Sequence, residues 1–360
     1  MQVTYNKIES DVPIPTWWNS DWEHINRELL ERVSIGETRL LSVSPGGRPV
    51  YAVHYGTAEP ELRGTANYNS ALGANNPQAY YNRNQRRHPV LMMIGGIHGH
   101  EVEGMIGALS IVRILETGLD LTGTLQPELA DMLKQLRIIV VPLANPDGRA
   151  RVPYQGWCGL PQDEMTRWGQ GTRKDGDLYR WRPCKEIHPM RGDVGLLGAY
   201  FDDNGVNMMH DDWADPMSET TKALLRLAAD EGPDCLINLH SYSISPGVLP
   251  TAHVPQLEKR RINDFTQIFY ERLTRRGYKS ALLPDELETA LAERARPALN
   301  LQSMLYHVGA DLPILFESPH GVVGATAAVF DYDEILDVHH ELFHTAAEQL
   351  LIRNQKGIET

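Results

Sequence analysis

Short apolar runs that stop abruptly at glycine, proline or a chemically active side chain mark the buried strands of this chain. Val90 to Ile94 is the clearest, a continuous run (VLMMI) followed by two glycines. Such a run suits a strand covered on both faces. LRIIVVPL at 136 to 143, DCLINLH ending at His240, and LPILFE at 312 to 317 have the same character. Between these runs the apolar period lengthens to that of a helix. Residues 21 to 34 place Ile25, Leu29, Leu30 and Val33 on one face, with Ser20 as the expected cap. Further helices are predicted over 101 to 117, ended by Gly118, and over 217 to 231, 256 to 276, 298 to 308 and 331 to 354. ETRLLSVSPGGRPVYAVHYG reads as two strands joined by a Pro-Gly-Gly turn, and 279 to 283 as a short strand.

Strands that alternate with helices predict an α/β fold, a mixed, mostly parallel twisted sheet with helices on both faces. Residues 57 to 88 are polar, rich in Asn and Gly, and aperiodic, so no element is assigned there. Residues 149 to 204 are irregular and hold Trp157, Trp168, Trp181 and many arginines. At 360 residues the chain can bury a large core, and a single domain over 1–360 accounts for the pattern. Within it, 1–35 is an N-terminal extension and 149–204 a long insertion expected to border the cleft.

Composition narrows the functional classes. Lys plus Arg is 34 against 47 Asp plus Glu, a formal charge of -13, which argues against nucleic acid or an anionic membrane as partner. Cys158, Cys184 and Cys235 are odd in number and lack CxxC spacing, as reduced thiols would be. The first residues show no secretion signal, and no apolar run is long enough to span a bilayer, so a soluble cytoplasmic protein is expected. The oligomeric state is left open.

The chemistry gathers at strand ends. In HPVLMMIGGIHGHEVEG, His98 and Glu101 are separated by one helical turn just past a predicted central strand, and together could hold a divalent metal. Their neighbours His100 and Glu103 are expected to point elsewhere. His240 ends the third buried strand and Glu317 the last, and open α/β sheets gather such ends at one place. Two imidazoles and one carboxylate leave a coordination position for water, the pattern of a catalytic zinc site; a structural one would want four ligands, usually with Cys. The same set also suits several other first-row ions. Glu317 lies in an apolar strand, where a carboxylate is costly without a partner or a task. Beside water whose pKa a metal brings to about 7, it would act as base and then as proton donor to a leaving amine. Hydrolysis is the natural reaction, and no GxSxG elbow, phosphate loop or complete dinucleotide fingerprint competes with it.

In order and separation, GGIHGHEVEG, NPDG, LHSYS and LFE resemble the motifs of the zinc carboxypeptidase family of the carboxypeptidase A type, over most of residues 35 to 350. The resemblance implies one zinc ion held by His98, Glu101 and His240, with Glu317 as general base and Ser241 and Tyr242 lining the substrate cleft. It also implies an arginine that polarises the scissile carbonyl. Trp181-Arg182 resembles that arginine's setting, and Arg149, Arg151 and Arg180 compete for the role.

One departure matters as much as the matches. Where the family has GVDLNR, whose Asn and Arg grip a terminal carboxylate, this chain reads Gly205-Val206-Asn207-Met208-Met209-His210. Neither Met209 nor a neutral His210 reproduces the two parallel bonds of a guanidinium. His210 is nevertheless a candidate substrate-binding residue, and strict carboxypeptidase activity would require His210 or an arginine of the insertion to supply the clamp. Asn207 stands where the family's Asp orients a ligand histidine, and its amide oxygen can still accept an imidazole N–H. Tyr306 and Tyr278 are candidates for the family's mobile cleft tyrosine. The expectation is a zinc-dependent, carboxypeptidase-like hydrolase of peptide or amide bonds with an altered carboxylate clamp. The alternatives are a deacylase or amidase of small N-acyl or modified amino acids, and a catalytically weak zinc-binding recognition module.

Overall fold

Alternation along four buried strands decides how the sheet is covered. The computed structural model describes residues 5, 7–58, 64–83, 86–243, 245–291, 298–323 and 330–356, with the backbone alone at 242, 243, 291 and 356. β3 (Val90–Gly95) sends Leu91 and Met93 to one face and Val90, Met92 and Ile94 to the other. β4 (Arg137–Val141), β7 (Cys235–Ser243) and β9 (Pro313–Pro319) divide their side chains in the same way. These four strands run parallel in the order β4-β3-β7-β9. β1 (Glu37–Val43) and β2 (Pro49–Tyr55) extend the sheet antiparallel beyond β4, and β8 (Gly247–Leu249) closes the other edge against β9.

One face is covered by α3 (Val102–Thr117), α8 (Gln256–Arg275) and α11 (Tyr332–Lys356), which bring Met105, Phe269 and Phe343 into its core. The other is covered by α7 (Glu219–Glu231) and α10 (Leu301–Val308), through Leu224, Ala228, Leu301 and Leu305. The sheet is therefore mixed and mostly parallel with helices on both faces, as the alternating pattern predicts. α1 (Trp22–Glu31) packs Ile25 and Leu29 into the first core together with Trp18. The described part of the 1–35 extension is thus built into the domain.

Several local expectations are corrected. Ser20 does not cap α1: its hydroxyl donates to the Gln155 carbonyl, and Asp21 takes the cap position without a side-chain bond. Residues 279–283 form no strand, because β8 already holds the ladder position beside β9; the Ala281 amide donates instead to Pro246. Within the unassigned 57–88 stretch lies α2 (Tyr68–Gly73), capped by Asn67, with Tyr68, Tyr80 and Tyr81 forming a small core of their own. Residues 59–63, 84 and 85 of that stretch lie outside the described residues. Four short helices escape the apolar period: α4 (Pro127–Leu133), α5 (Pro146–Arg151), α6 (Gln162–Gln170) and α9 (Pro284–Leu291). Each starts at or just after a proline, whose fixed φ prepares a first turn. The insertion also holds a two-stranded ribbon, β5 (Gly171–Thr172) with β6 (Leu196–Leu197). The three cysteines are unpaired and buried, and no helix of the described residues is long and apolar enough to cross a membrane.

At the amino ends of the parallel strands, Arg137 of β4 donates two 2.6 Å bonds to Glu231, the last residue of α7. Burial works to raise the Glu231 pKa, but Arg137 and then His54 overcome it and hold the carboxyl down at about 2, against an ordinary 4.5. A carboxyl whose folded pKa is depressed contributes stability above its unfolded pKa and loses it as pH falls through the folded one. Glu231→Gln should therefore cost about 3 kcal/mol at pH 7 in urea unfolding. That deficit should close as the pH is lowered from about 4.5 towards 2; one that stays constant with pH would mean that charge is not what the pair contributes.

Candidate metal centre

Glycine makes the first ligand loop possible. The chain leaves β3 at Gly95 and turns at Gly96, which has φ +63°. Gly99 then lies so close to the next loop that a Cβ there would be 2.1 Å from the Arg149 amide nitrogen. Its own amide donates 2.8 Å to the Ala199 carbonyl, and a Cβ on Gly148 would stand 2.4 Å from that same oxygen. Three backbone segments thus meet at contacts that only glycine permits. The NPDG tetrapeptide fastens them. Asn145 caps α5 by accepting from the Gly148 amide. Buried Asp147 accepts from Ser44 Oγ (2.6 Å), the Gly46 amide (3.0 Å), Arg48 Nη1 (2.8 Å) and the Asp203 amide (3.1 Å). Burial disfavours its charge, but these donors hold its pKa below the ordinary carboxylate range.

This framework brings His98, Glu101 and His240 together. Glu101 occupies the cap position of α3 but makes no side-chain cap bond, so its carboxylate is free to face the imidazoles. Oε1 lies 2.8 Å from His98 Nδ1 and Oε2 lies 2.8 Å from His240 Nδ1, and the two Nδ1 atoms are 3.3 Å apart. A tetrahedral ion with bonds of about 2.0–2.1 Å holds its ligand atoms roughly 3.3 Å apart, which is the spacing of the two Nδ1 atoms. The carboxylate oxygens lie closer, at hydrogen-bond distance, and the donor set suits zinc. All three residues are buried, and among the described residues they form the one group able to hold a metal. Burial opposes the Glu101 charge, but the His98 and His240 rings hold its pKa far below the usual range. Burial pushes His98 down, towards the neutral imidazole that binds metal. His240 and Glu317 are paired in register on β7 and β9, which sets Glu317 beside the centre.

The surrounding shell fixes the rings. Asn207 Oδ1 lies 3.3 Å from His98 Nε2 and also accepts from the Met209 amide at 3.0 Å. Tyr200, from the insertion, packs its ring against that of His98, with centroids 3.9 Å apart and the planes tilted by 42°. His100, expected to point elsewhere, packs against Tyr200 with its Nε2 3.9 Å from Glu101 Oε1, and its carbonyl accepts from Trp157 Nε1 at 2.6 Å. Glu103, expected to point elsewhere, faces the sheet and accepts the Ser241 hydroxyl; burial pushes its pKa up to about 8.

That contact corrects the expectation for Ser241. Successive strand residues point to opposite faces, so with His240 at the centre Ser241 points back into α3 and is fully buried, not in a cleft. The side chain of Tyr242 lies outside the described residues. At the positions of the family's clamp, Met209 is buried, with Sδ 3.8 Å from Asn238 Nδ2. His210 is partly exposed, and burial pushes its pKa down to about 3. Tyr306 lines a cavity of about 430 Å³ with Asp234 and Asp311. Those acids precede β7 and β9, so this tyrosine lies at the end of the sheet opposite the metal centre. Tyr278 donates to Asp337 on α11.

Arg182 is exposed, with its guanidinium 5.7 Å from the centre of the Trp181 ring. A cation that the sequence reading did not single out, Lys185, feels the charges of the centre: burial lowers its pKa to about 8, while Glu101 and Glu317 are among the groups that act against that shift. Tyr200 and Lys185 went unseen because an irregular insertion has no period to show which side chains turn inward.

A profile of the zinc carboxypeptidase family matches residues 26–259. Among solved structures, the fold is similar to that of a metallo-carboxypeptidase from Burkholderia cenocepacia (13% identity, TM-score 0.54, covering 92% of this chain and 69% of that one). It is similar to carboxypeptidase A from Helicoverpa armigera (12% identity, TM-score 0.53, covering 93% and 73%). It is also similar to bovine thrombin-activatable fibrinolysis inhibitor, solved in complex with tick carboxypeptidase inhibitor (12% identity, TM-score 0.56, covering 95% and 99%). At such identities the likeness is one of fold. No curated protein matches the chain by sequence.

Zinc should stabilise the protein through these ligands. At free zinc 100-fold above Kd, binding adds about 2.7 kcal/mol and raises Tm. Glu101→Gln should lose most of that rise and most of the metal retained after dialysis, measured by thermal unfolding and elemental analysis. Equal zinc content in the two proteins would place the ion elsewhere.

Proposed function

The chain belongs to the zinc carboxypeptidase family, and on that premise we propose that it is a zinc-dependent hydrolase of peptide or amide bonds with altered recognition beyond the scissile bond. The observation that carries this reading is the convergence of His98, Glu101 and His240 with Glu317 in register beside His240. Glu317 lies beyond the matched span of 26–259, and its place rests on that strand pairing.

When bound, zinc supplies Lewis acidity that polarises a carbonyl and lets water act as a nucleophile near neutral pH. The chain's own residues do the rest. Asn207 and Tyr200 hold the His98 ring, and the three ligands are themselves buried from bulk water. The Glu317 carboxylate takes a proton from the attacking water and returns it to the leaving nitrogen, so that a neutral amine departs.

Substrate choice follows from the clamp positions. Buried Met209 and uncharged His210 offer no cationic fork for a terminal carboxylate. This favours peptides whose end is blocked or modified, and it supports as a second reading the removal of an acyl group from a small acyl-amino acid. Three buried, unpaired thiols agree with work in a reducing compartment such as the cytoplasm.

A matched pair of peptide libraries, one with free C-termini and one amidated, tests the reading on zinc-loaded protein. Cleavage is expected to persist on blocked ends. Glu317→Gln should lower kcat by about 10²–10⁴-fold with zinc content unchanged. Zinc-loaded wild type that cleaves neither library nor any acyl-amino acid would refute the hydrolase reading.

A further inference from the structure

Amide hydrolysis places negative charge on the scissile carbonyl oxygen, and the arginines of the insertion are engaged elsewhere. Arg149 is buried and donates to the carbonyls of Ser20 (2.7 Å), Val152 (3.0 Å) and Tyr154 (2.7 Å). Arg151 is held by Asp203 and by the carbonyls of Gly198 and Phe201. Arg180 pairs with Asp163 at the surface, and Arg182 is exposed against Trp181.

Lys185 is placed differently. It ends a short turn, Pro183–Lys185, whose Cys184 is buried in one cluster with Tyr200 and Phe201. Tyr200 of that cluster is the ring that packs against His98, so the turn is fastened to the metal centre itself. Lys185 Nζ lies 3.9 Å from the centre of the Trp181 ring, a distance at which the π face attracts the cation and fixes its position. Its charge is coupled to Glu101 and Glu317, and it is felt in turn by His98, His210 and His240. Among the described residues, none offers the ammonium an ion pair or a hydrogen bond, although it is only partly exposed. Its three N–H donors are therefore available to an acceptor that arrives with the substrate.

We propose that Lys185, steadied by Trp181, is the cation that receives the oxyanion formed during hydrolysis, and that a lysine here fills the role an arginine has in carboxypeptidases. In this step the water oxygen bonds to the carbonyl carbon as its proton passes to Glu317, and the carbonyl π pair moves onto the oxygen facing the ammonium. Collapse returns that pair to the C=O bond, breaks the C–N bond and sends the proton from Glu317 to the nitrogen. Lysine suits the position because a point charge with rotatable donors can follow an oxygen as it changes from trigonal to tetrahedral.

The proposal rests on the hydrolase reading, and its test separates the two. Zinc-loaded wild type, Lys185→Met and Lys185→Arg are compared on a peptide that the wild type cleaves and, by calorimetry, for binding of a phosphonate peptide that mimics the tetrahedral anion. Lys185→Met should lower kcat by about 10²–10³-fold, with KM changed by less than about threefold, alike on free and blocked C-termini. Phosphonate affinity should fall in parallel, zinc content should match wild type, and Lys185→Arg should recover part of both losses. An unchanged kcat and phosphonate affinity in Lys185→Met, in an active wild type, would overturn the proposal and leave the hydrolase standing. So would a rise in KM confined to free C-termini, which would make Lys185 a carboxylate clamp, or a loss of zinc, which would make its role structural. A wild type that cleaves nothing removes the hydrolase reading and this proposal together.

Discussion

A single buried carboxylate governs the carboxyl end of the sheet. Glu101 is 2% exposed, and a charge so far from water survives only beside opposite charge or strong donors. Its oxygens each face an imidazole at 2.8 Å, and those rings hold its proton off against the pull of burial. Two rings can reach one carboxylate only if the loop that leaves β3 and the carboxyl end of β7 meet within a few ångströms. Much of the surrounding backbone is arranged to allow that meeting.

Two devices accomplish it. Glycine removes side chains where backbones must touch: Gly99 against Arg149 and Gly148 against Ala199 have no room for a Cβ. Asp147 then fixes what glycine leaves loose, accepting from the β1–β2 turn on one side and from Asp203 on the other. The NPDG segment turns its side chains to donors around it, Asn145 to the Gly148 amide and Asp147 to the neighbouring loops. Its contribution is positional, since a ligand loop displaced by even an ångström would open the Nδ1 to carboxylate spacings.

The difference between what the sequence disclosed and what it hid is physical. Apolar runs this short, bounded by glycine, proline or a polar side chain, suit strands with two covered faces, so β3, β4, β7 and β9 and the residues at their ends were legible, including His98, Glu101, His240 and Glu317. Period two was also in hand, and applied to β7 it separates Ser241 from His240: neighbours on a strand cannot both face one cleft. The strand expected at 279–283 failed because edge positions are contested, and no local pattern shows that Gly247–Leu249 takes the place first. Ser20 failed as a cap because a distant glutamine, Gln155, competes for its hydroxyl. Tyr200 and Lys185 reach the centre from an insertion folded by its own small cluster of Tyr179, Cys184, Phe201 and Met190. Only the packing of that cluster decides which of its side chains turn towards His98.

The two ends of the sheet also treat charge in opposite ways. At the amino ends the acids and bases satisfy one another: Arg137 with Glu231, Arg83 and Arg86 with Asp234, and Arg261 and Arg353 with Asp311. Each removes the cost of the other, and what they contribute is stability. At the carboxyl ends the accounting stays open. His240 Nε2 and both ring nitrogens of His100 are buried without a hydrogen bond among the described residues, and the Lys185 ammonium, whose charge acts on the centre, has no ion pair among them. An unpaired buried polar group costs about 1–3 kcal/mol, so a fold that settles its charges at one end and leaves them open at the other gives up stability there. Groups left in that state have their partners in molecules that come and go, and this is the physical ground for placing the chemistry at the carboxyl end and the scaffold at the other.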